Sequence, residues 1–237
     1  MPSNLDEVVS KLSDSEVVER VLRGDTELYQ QIMRRYNRRL YRVTWAIVQD
    51  KDEVEDVIQE TYVRAYEHLA QFAGRALFST WLTKIAIHEA WGRMKRRNKQ
   101  YDLDSTAASL NKFRRTTETP EDYVISNEQR EVLEHAINAL PEPQRAVLVM
   151  RSLEQMTVAE IANCLDITPQ AVKMRFVRAR RTLRRALDAR GNAARSRTPE
   201  SELFEFLGER CARVTANVLL RITGMVTPTR TASTQAD

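Results

Sequence analysis

An all-α architecture of two helical domains is what the sequence predicts, and three observations carry the expectation. Gly 6 and Pro 7 together make 13 of 237 residues, about half their combined share of an average globular chain. Apolar side chains recur at steps of three and four over most of the length, the period of one helix face. Capping residues and prolines bracket those stretches where helices should begin and end. With 42% hydrophobic and 30% charged residues, the chain has enough apolar surface for a core, which excludes disorder throughout. The longest apolar run, Ala146 to Met150, falls far short of the ~18 residues of a membrane span. The first residues lack a basic stretch followed by an apolar one, so no membrane span and a cytoplasmic location are expected.

Taken in order, residues 13–48 read as helical with a break at Gly24-Asp25, where Asp25 is placed to cap the next helix. Residues 53–72 put Ile58, Tyr62, Ala65 and Leu69 on one face, at steps of 4, 3 and 4. The other face, Asp56, Gln59, Glu60, Val63, Arg64 and Glu67, is mostly polar. From Phe78 to about Arg97 the pattern repeats through Trp81, Ile85, His88 and Trp91, ending in the basic run Arg93, Lys95, Arg96, Arg97, Lys99. Residues 98–120 have no sustained period and are rich in Thr, Ser and Asn, the composition of a linker with a domain boundary inside it. Residues 127–139 and 143–153 form two short helices parted by Leu140-Pro141-Glu142-Pro143, the spacing of a compact bundle.

Thr157-Val158-Ala159-Glu160 is a capping box, so a helix begins there. It carries Ile161, Ala162 and Leu165 inward and breaks at Asp166-Ile167. A second helix follows with Thr168 as cap and Pro169 at its first position, where a missing N–H is harmless. Val172, Phe176, Ala179, Leu183 and Leu187 form its buried stripe, leaving Gln170, Lys173, Met174, Val177, Arg178 and Arg181 on the opposite face. This is the layout of a helix-turn-helix, whose second helix enters the major groove of DNA. Residues 168–197 hold ten Lys and Arg against the single acid Asp188, a local charge of +9, which points to a polyanion. A solvated basic face on an ordinary bundle shows the same opposition of charge and apolar stripe; the caps, the turn and the charge ratio together favour DNA. Residues 50–60 reverse the sign, with six acids against Lys51, and would repel nucleic acid, so that stretch is expected to face a protein.

The order of motifs then resembles a bacterial RNA polymerase sigma factor of the extracytoplasmic-function type, in the sigma-70 family. The residues that carry the resemblance are D-V-I-Q-E-T-Y-V-R-A-Y-E-H-L (Asp56 to Leu69), F-A-G-R-A-L-F-S-T-W-L-T-K-I-A (Phe72 to Ala86) and R-M-K-R-R (Arg93 to Arg97). A second block follows, A-L-P-E-P-Q-R-A-V-L (Ala139 to Leu148), M-T-V-A-E-I-A (Met156 to Ala162) and A-V-K-M-R-F-V-R-A-R (Ala171 to Arg180). The resemblance spans roughly residues 15–190 and implies a promoter-specificity factor with a core- and -10-binding domain at 13–98, a linker at 99–125, and a -35-binding domain at 126–190. Implied partners are core RNA polymerase, through the clamp helices of its largest subunit and its flap, promoter DNA, and an anti-sigma factor. Asp56, Gln59, Glu60 and Arg64 are the implied polymerase contacts, against the alternative of a solvated face. Phe72, Ala73, Gly74, Arg75, Ile85 and His88 would hold the -10 element with a flipped base, and Arg93, Lys95, Arg96 and Arg97 its phosphates. Thr168, Gln170, Lys173, Met174, Val177, Arg178 and Arg181 would meet the -35 element. His88 departs from the family, many members of which carry Asn there; a partly buried helix histidine is the alternative. Trp81 is expected in the core.

The resemblance fades near Arg190, leaving an extension at 191–237. Leu203, Leu207, Cys211, Val214, Val218 and Ile222 step by 4, 4, 3, 4 and 4, so residues 202–222 read as one amphipathic helix whose stripe must pack somewhere. The chain's own C-terminal domain is the expected site, with a regulatory partner or a second copy as alternatives. Cys164 and Cys211 read as small core residues rather than redox switches. No enzyme is expected. The glycines at 24, 74, 92, 191, 208 and 224 are never closer than 16 residues, which excludes Gly-rich phosphate cradles. His68, His88 and His135 are isolated, and no metal site or cofactor is expected. A helix-turn-helix regulator that never joins a polymerase is the alternative reading.

Overall fold

The computed structural model describes residues 12–72, 74, 76–104, 126–188, 203–204 and 209–226. Among them every regular element is helical: α1 (Asp14–Leu22), α2 (Tyr29–Val48), α3 (Lys51–Glu67), α4 (Phe78–Asp104), α5 (Ser126–Asn138), α6 (Glu142–Leu148), α7 (Val158–Leu165), α8 (Pro169–Asp188) and α9 (Glu209–Val226). Two compact units divide these residues. The first takes residues up to 45, 50–89 and α9; the second takes 46–49 and 90–204.

In the first unit, α1 begins at Ser13, whose hydroxyl accepts from the Glu16 backbone N–H while the Glu16 carboxylate accepts from the Ser13 N–H, a reciprocal cap of two orphan donors. Gly24 then takes φ +112°, a conformation open to glycine at little steric cost. Asp25, expected as a cap for the next helix, caps nothing; its carboxylate pairs with Arg20 at 3.0 Å instead. Asp50 does cap, accepting from the backbone N–H groups of Asp52 and Glu53 at 3.1 Å each. The core joins Val17, Val18 and Val21 of α1, Tyr29, Ile32, Met33 and Leu40 of α2, Ile58, Tyr62 and Ala65 of α3, and Leu82, Ala86 and Ile87 of α4. Two tyrosines are buried in it without orphaned hydroxyls. Tyr29 donates to the Tyr62 carbonyl at 2.8 Å and Tyr62 to the Met33 carbonyl at 3.3 Å, which spares each the penalty of an unmade bond.

In the second unit, α6 opens into a wide π turn at Val149–Leu153, with Glu154 N–H donating to the Val149 carbonyl at 3.2 Å. Ile137, Leu140, Val147, Met150, Ile161, Cys164, Leu165, Val172 and Ala179 make the core. Arg145 is buried among them, and its guanidinium donates to the carbonyls of Ala46 (2.6 Å), Asn138 (3.1 Å) and Leu140 (2.6 Å). Burial pushes this group down to about 10, opposed by the charge of Glu142, so it stays cationic at neutral pH.

Three expectations are corrected. Helix α4 runs to Asp104 rather than ending near Arg97; residues 98–104 contain neither Gly nor Pro to stop it. Its buried stripe is Phe78, Leu82, Ala86, Ile87 and Ala90, one step round from Trp81, Ile85, His88 and Trp91, since apolar residues at helical spacing run down both neighbouring faces of this helix. The C-terminal helix starts at Glu209, not near 202, and packs on α3 of the first unit instead of the second domain. Leu203 and Phe204, expected on its stripe or beside it, are buried in the second unit, where Phe204 N–H donates to Glu134 Oε1 at 2.8 Å. Leu207, the linker at 105–125 and residues 227–237 lie outside the described residues.

Replacing Arg145 by Met removes the donor shared by three buried carbonyls, so Arg145→Met should destabilise the second unit by about 2–4 kcal/mol, read as a lower urea midpoint with an unchanged m-value.

Candidate nucleic-acid and partner-binding interfaces

The helix pair α7–α8 forms as its caps dictate. Thr157 Oγ1 accepts from Glu160 N–H at 3.2 Å, and the Glu160 carboxylate takes the Thr157 N–H at 2.7 Å. Asp166 ends α7 in the left-handed region at φ 51°, where Asp is tolerated better than most L-residues. Thr168 Oγ1 then accepts from Ala171 N–H at 3.2 Å to start α8. Val172 and Ala179 are buried; Phe176, Leu183 and Leu187 are half-buried.

Every candidate -35 residue, Thr168, Gln170, Lys173, Met174, Val177, Arg178 and Arg181, is exposed. Helix α8 carries seven Lys and Arg against Asp188. Arg180 lies over the Phe176 ring at 5.8 Å, and Arg184 reaches Asp188 at 3.9 Å with both side chains in water, a pair of little energetic weight. Val177, 60% exposed, and Met174, 44% exposed, sit between cations on this face. Lys and Arg can reach guanine edges and apolar side chains can meet thymine methyls; the face carries side chains of both chemistries.

The candidate -10 residues divide between the units. In the first, Phe72 is half-buried against Phe78 (5.2 Å, edge-on) and Trp81 (5.4 Å). Trp81, expected in the core, is half-exposed on this cluster. Gly74 has φ +66° with nothing within 4 Å of a would-be Cβ, so its backbone conformation, not space, favours glycine. Ile85 is half-buried and His88 exposed; Ala73 and Arg75 lie outside the described residues. In the second unit, Lys95 and Arg96 are exposed, Arg93 and Arg97 half-buried, and Trp91 Nε1 donates to Glu142 at 3.3 Å.

The acidic face of α3 is occupied. Helix α9 lies along it with Val214, Val218 and Ile222 at 0% exposure. Arg213 donates twice to Glu55 Oε2, at 3.2 and 2.6 Å, and Arg210 reaches Glu55 Oε1 at 3.5 Å. Further on, Asn217 meets Gln59 at 3.5 Å and Arg221 meets Glu60 at 3.0 Å. Numbers rise together on both helices, so α9 runs parallel to α3. Glu60 also accepts from Arg64 at 3.4 Å, and Arg64 pairs with Glu89 at 3.0 Å. Burial raises the Glu60 carboxyl, but hydrogen bonds and charge from Arg221 and Arg64 outweigh it and hold the group below its ordinary value. Asp56 is exposed. Cys211, expected as a core residue, is half-buried with its sulfur accepting from Asn37 Nδ2 at 2.8 Å. Sequence reasoning missed Glu55 and Glu89. Its available signal was the row Arg210, Arg213, Asn217, Arg221 beside the apolar stripe of α9.

Comparison with known proteins places the chain. Residues 32–100 match sigma-70 region 2 and residues 130–183 match sigma-70 region 4. RNA polymerase sigma-H factor of Pseudomonas aeruginosa is 30% identical over 186 residues, covering 76% of this chain and 96% of that protein. The extracytoplasmic-function sigma-E factor of Escherichia coli is 31% identical over 179 residues, 73% of this chain and 93% of its own. Sigma factor RpoE of Bartonella quintana, solved with the anti-sigma factor NepR, shares the fold at a TM-score of 0.55 and 19% identity, over 68% of this chain and 96% of that one. The chain belongs to the sigma-70 family of RNA polymerase sigma factors, in its extracytoplasmic-function branch, and is a transcription initiation factor that directs polymerase to promoters. Helix α9 lies beyond both matched segments.

Thr157→Ala removes one half of the capping box ahead of the recognition helix; it should cost about 1 kcal/mol, measured as a drop in the thermal midpoint of the second unit, with Thr157→Ser near wild type.

Proposed function

We propose that the two domains expected from the sequence divide promoter recognition along the lines the family resemblance implies. The domain at 13–98 docks on the clamp helices of the largest polymerase subunit and captures the -10 element; the domain at 126–190 reads the -35 duplex and meets the flap; residues 99–125 link them. The observation that carries this reading is the outward face of α8, on which all seven candidate -35 residues are exposed behind two satisfied caps. On that face Lys173, Met174, Val177 and Arg178 meet base edges while Thr168, Gln170 and Arg181 serve position and phosphate. Phosphate contacts set affinity and its salt dependence; base contacts set sequence choice.

At the -10 element, the half-exposed edge of the Phe72–Phe78–Trp81 cluster offers a ring face for an unstacked base, and Ala73, Gly74, Arg75, Ile85 and His88 complete the set of residues that capture it. Stacking is tolerant of sequence and cationic groups track the backbone, which is the role of Arg93, Lys95, Arg96 and Arg97. Flipping a base costs a few kcal/mol, so capture needs the polymerase to hold the duplex in place. On α3, Asp56, Gln59, Glu60 and Arg64 form the docking face; an acidic partner surface is not expected there. The chain works in the cytoplasm, where its polymerase and promoter are, and an anti-sigma factor is a natural regulator, as in the solved complex of the Bartonella quintana relative. The factor catalyses nothing itself; bond formation stays with the polymerase, and this chain supplies specificity through binding energy.

Separate defects are expected at the two faces. Lys173→Ala should weaken binding to a -35 duplex by about 1–3 kcal/mol and relax preference at one base pair, whereas Arg181→Ala should weaken all sequences alike and lower the salt slope by about one. Asp56→Arg should leave both duplex measurements unchanged and lower affinity for core polymerase, measured by fluorescence titration. Loss of duplex binding in Asp56→Arg, or of polymerase binding in Lys173→Ala, would contradict the division.

A further inference from the structure

We infer that α9 is an internal competitor of core RNA polymerase: the C-terminal helix covers the docking face of α3 and must leave before polymerase can bind. The inference rests on the assignment of that face to polymerase, and it is carried by where α9 lies. Of the four proposed docking residues, Gln59 and Glu60 are engaged by Asn217 and Arg221 of α9, and Arg64 shares the Glu60 carboxylate with Arg221. One turn before Gln59 on the same stripe, Glu55 is held by Arg210 and Arg213; one turn after it, Val63 is 1% exposed. A second helix cannot approach this stripe while α9 is on it, since packed helix axes lie 8–10 Å apart.

The contact is built to be displaced. Its fully buried apolar side chains are Val214, Val218 and Ile222, with Cys211 and Leu219 half-buried beside them, and its arginines keep one face in water, with side-chain exposures of 38%, 55% and 43% for Arg210, Arg213 and Arg221. Only the Arg221–Glu60 pair is open to water on both sides, so it adds little and is screened by salt; Glu55, with its side chain 8% exposed, regains water when its arginines leave. Membership of the same chain compensates, because the helix competes as an intramolecular ligand with no partner to recruit. Charge fits as well. An acidic α3 face that accepts arginines from α9 suits a basic or mixed partner surface, and polymerase would exchange one set of such contacts for another. Helix α9 thus lowers the apparent affinity by the fraction of chains in which the face is open.

The test measures affinity for core polymerase in the full chain and three full-chain variants. Arg213→Glu with Arg221→Glu breaks the contact at two exposed positions without touching α3. Arg20→Glu on α1 with Arg23→Glu just past its end, both exposed, makes the same change in net charge elsewhere. Asp56→Arg reports on the docking face itself. The α9 reversal should raise affinity about tenfold or more, as expected when the open fraction is a tenth or less, while the α1 reversal leaves it near wild type and Asp56→Arg lowers it. An α9 reversal no different from the α1 reversal, with Asp56→Arg still impaired, overturns the competition and leaves the docking face standing. An unimpaired Asp56→Arg overturns the docking face, and the competition with it.

Discussion

The carboxylate of Glu55 is the point on which the first unit turns. A buried carboxylate is costly unless a cation accompanies it, and the cations here come from far along the chain, on Arg213 and Arg210 of α9. That pairing fixes the register of α9: Arg213 on Glu55 sets Asn217 on Gln59 and Arg221 within reach of Glu60, while the stripe Val214, Val218, Ile222 turns inward. Both groups rehydrate when the helices part. An ion pair with this property holds a helix in place without making its departure prohibitive.

The second unit is organised by a different buried charge. Arg145 is satisfied by three backbone carbonyls, which ties the ends of short segments into one body. On that support the ends of α7 and α8 are set by local chemistry, a capping box, a left-handed Asp166 and a threonine cap. A reading surface needs such stiffness. Base contacts discriminate only when donors are held to within a fraction of an ångström of their positions, and α8 presents its cations from a helix, not a loop. The first unit holds a face that can be covered and uncovered; the second holds one that stays exposed.

The helix-turn-helix was legible in the sequence because each of its determinants is local: Thr157 with Glu160, Thr168 with Pro169, and the stripe from Val172 to Leu187 all fall within one or two turns of their partners. The inner face of α3, with Ile58, Tyr62 and Ala65 buried as the spacing predicted, was legible for the same reason. The face of α4 was not. Two stripes at helical spacing lie side by side on it, and spacing alone does not choose between Trp81–Ile85–His88 and Leu82–Ala86–Ala90. The target of α9 was hidden too, because an apolar stripe states that a helix must pack and does not say where. Only the arginine row beside the stripe carries that information, and it becomes readable once Glu55 is known to be buried.

The most direct test of a detachable α9 is native-state amide hydrogen exchange of the free full chain across a series of low denaturant concentrations. If α9 is a cover, the amides of Val214, Val218 and Ile222 exchange together through an opening with a smaller free energy and a smaller denaturant dependence than the core amides of α2 and α3. Exchange of those α9 amides only through global unfolding of the first unit, with the same free energy and slope as Tyr62, would make α9 an integral part of the fold and contradict the account.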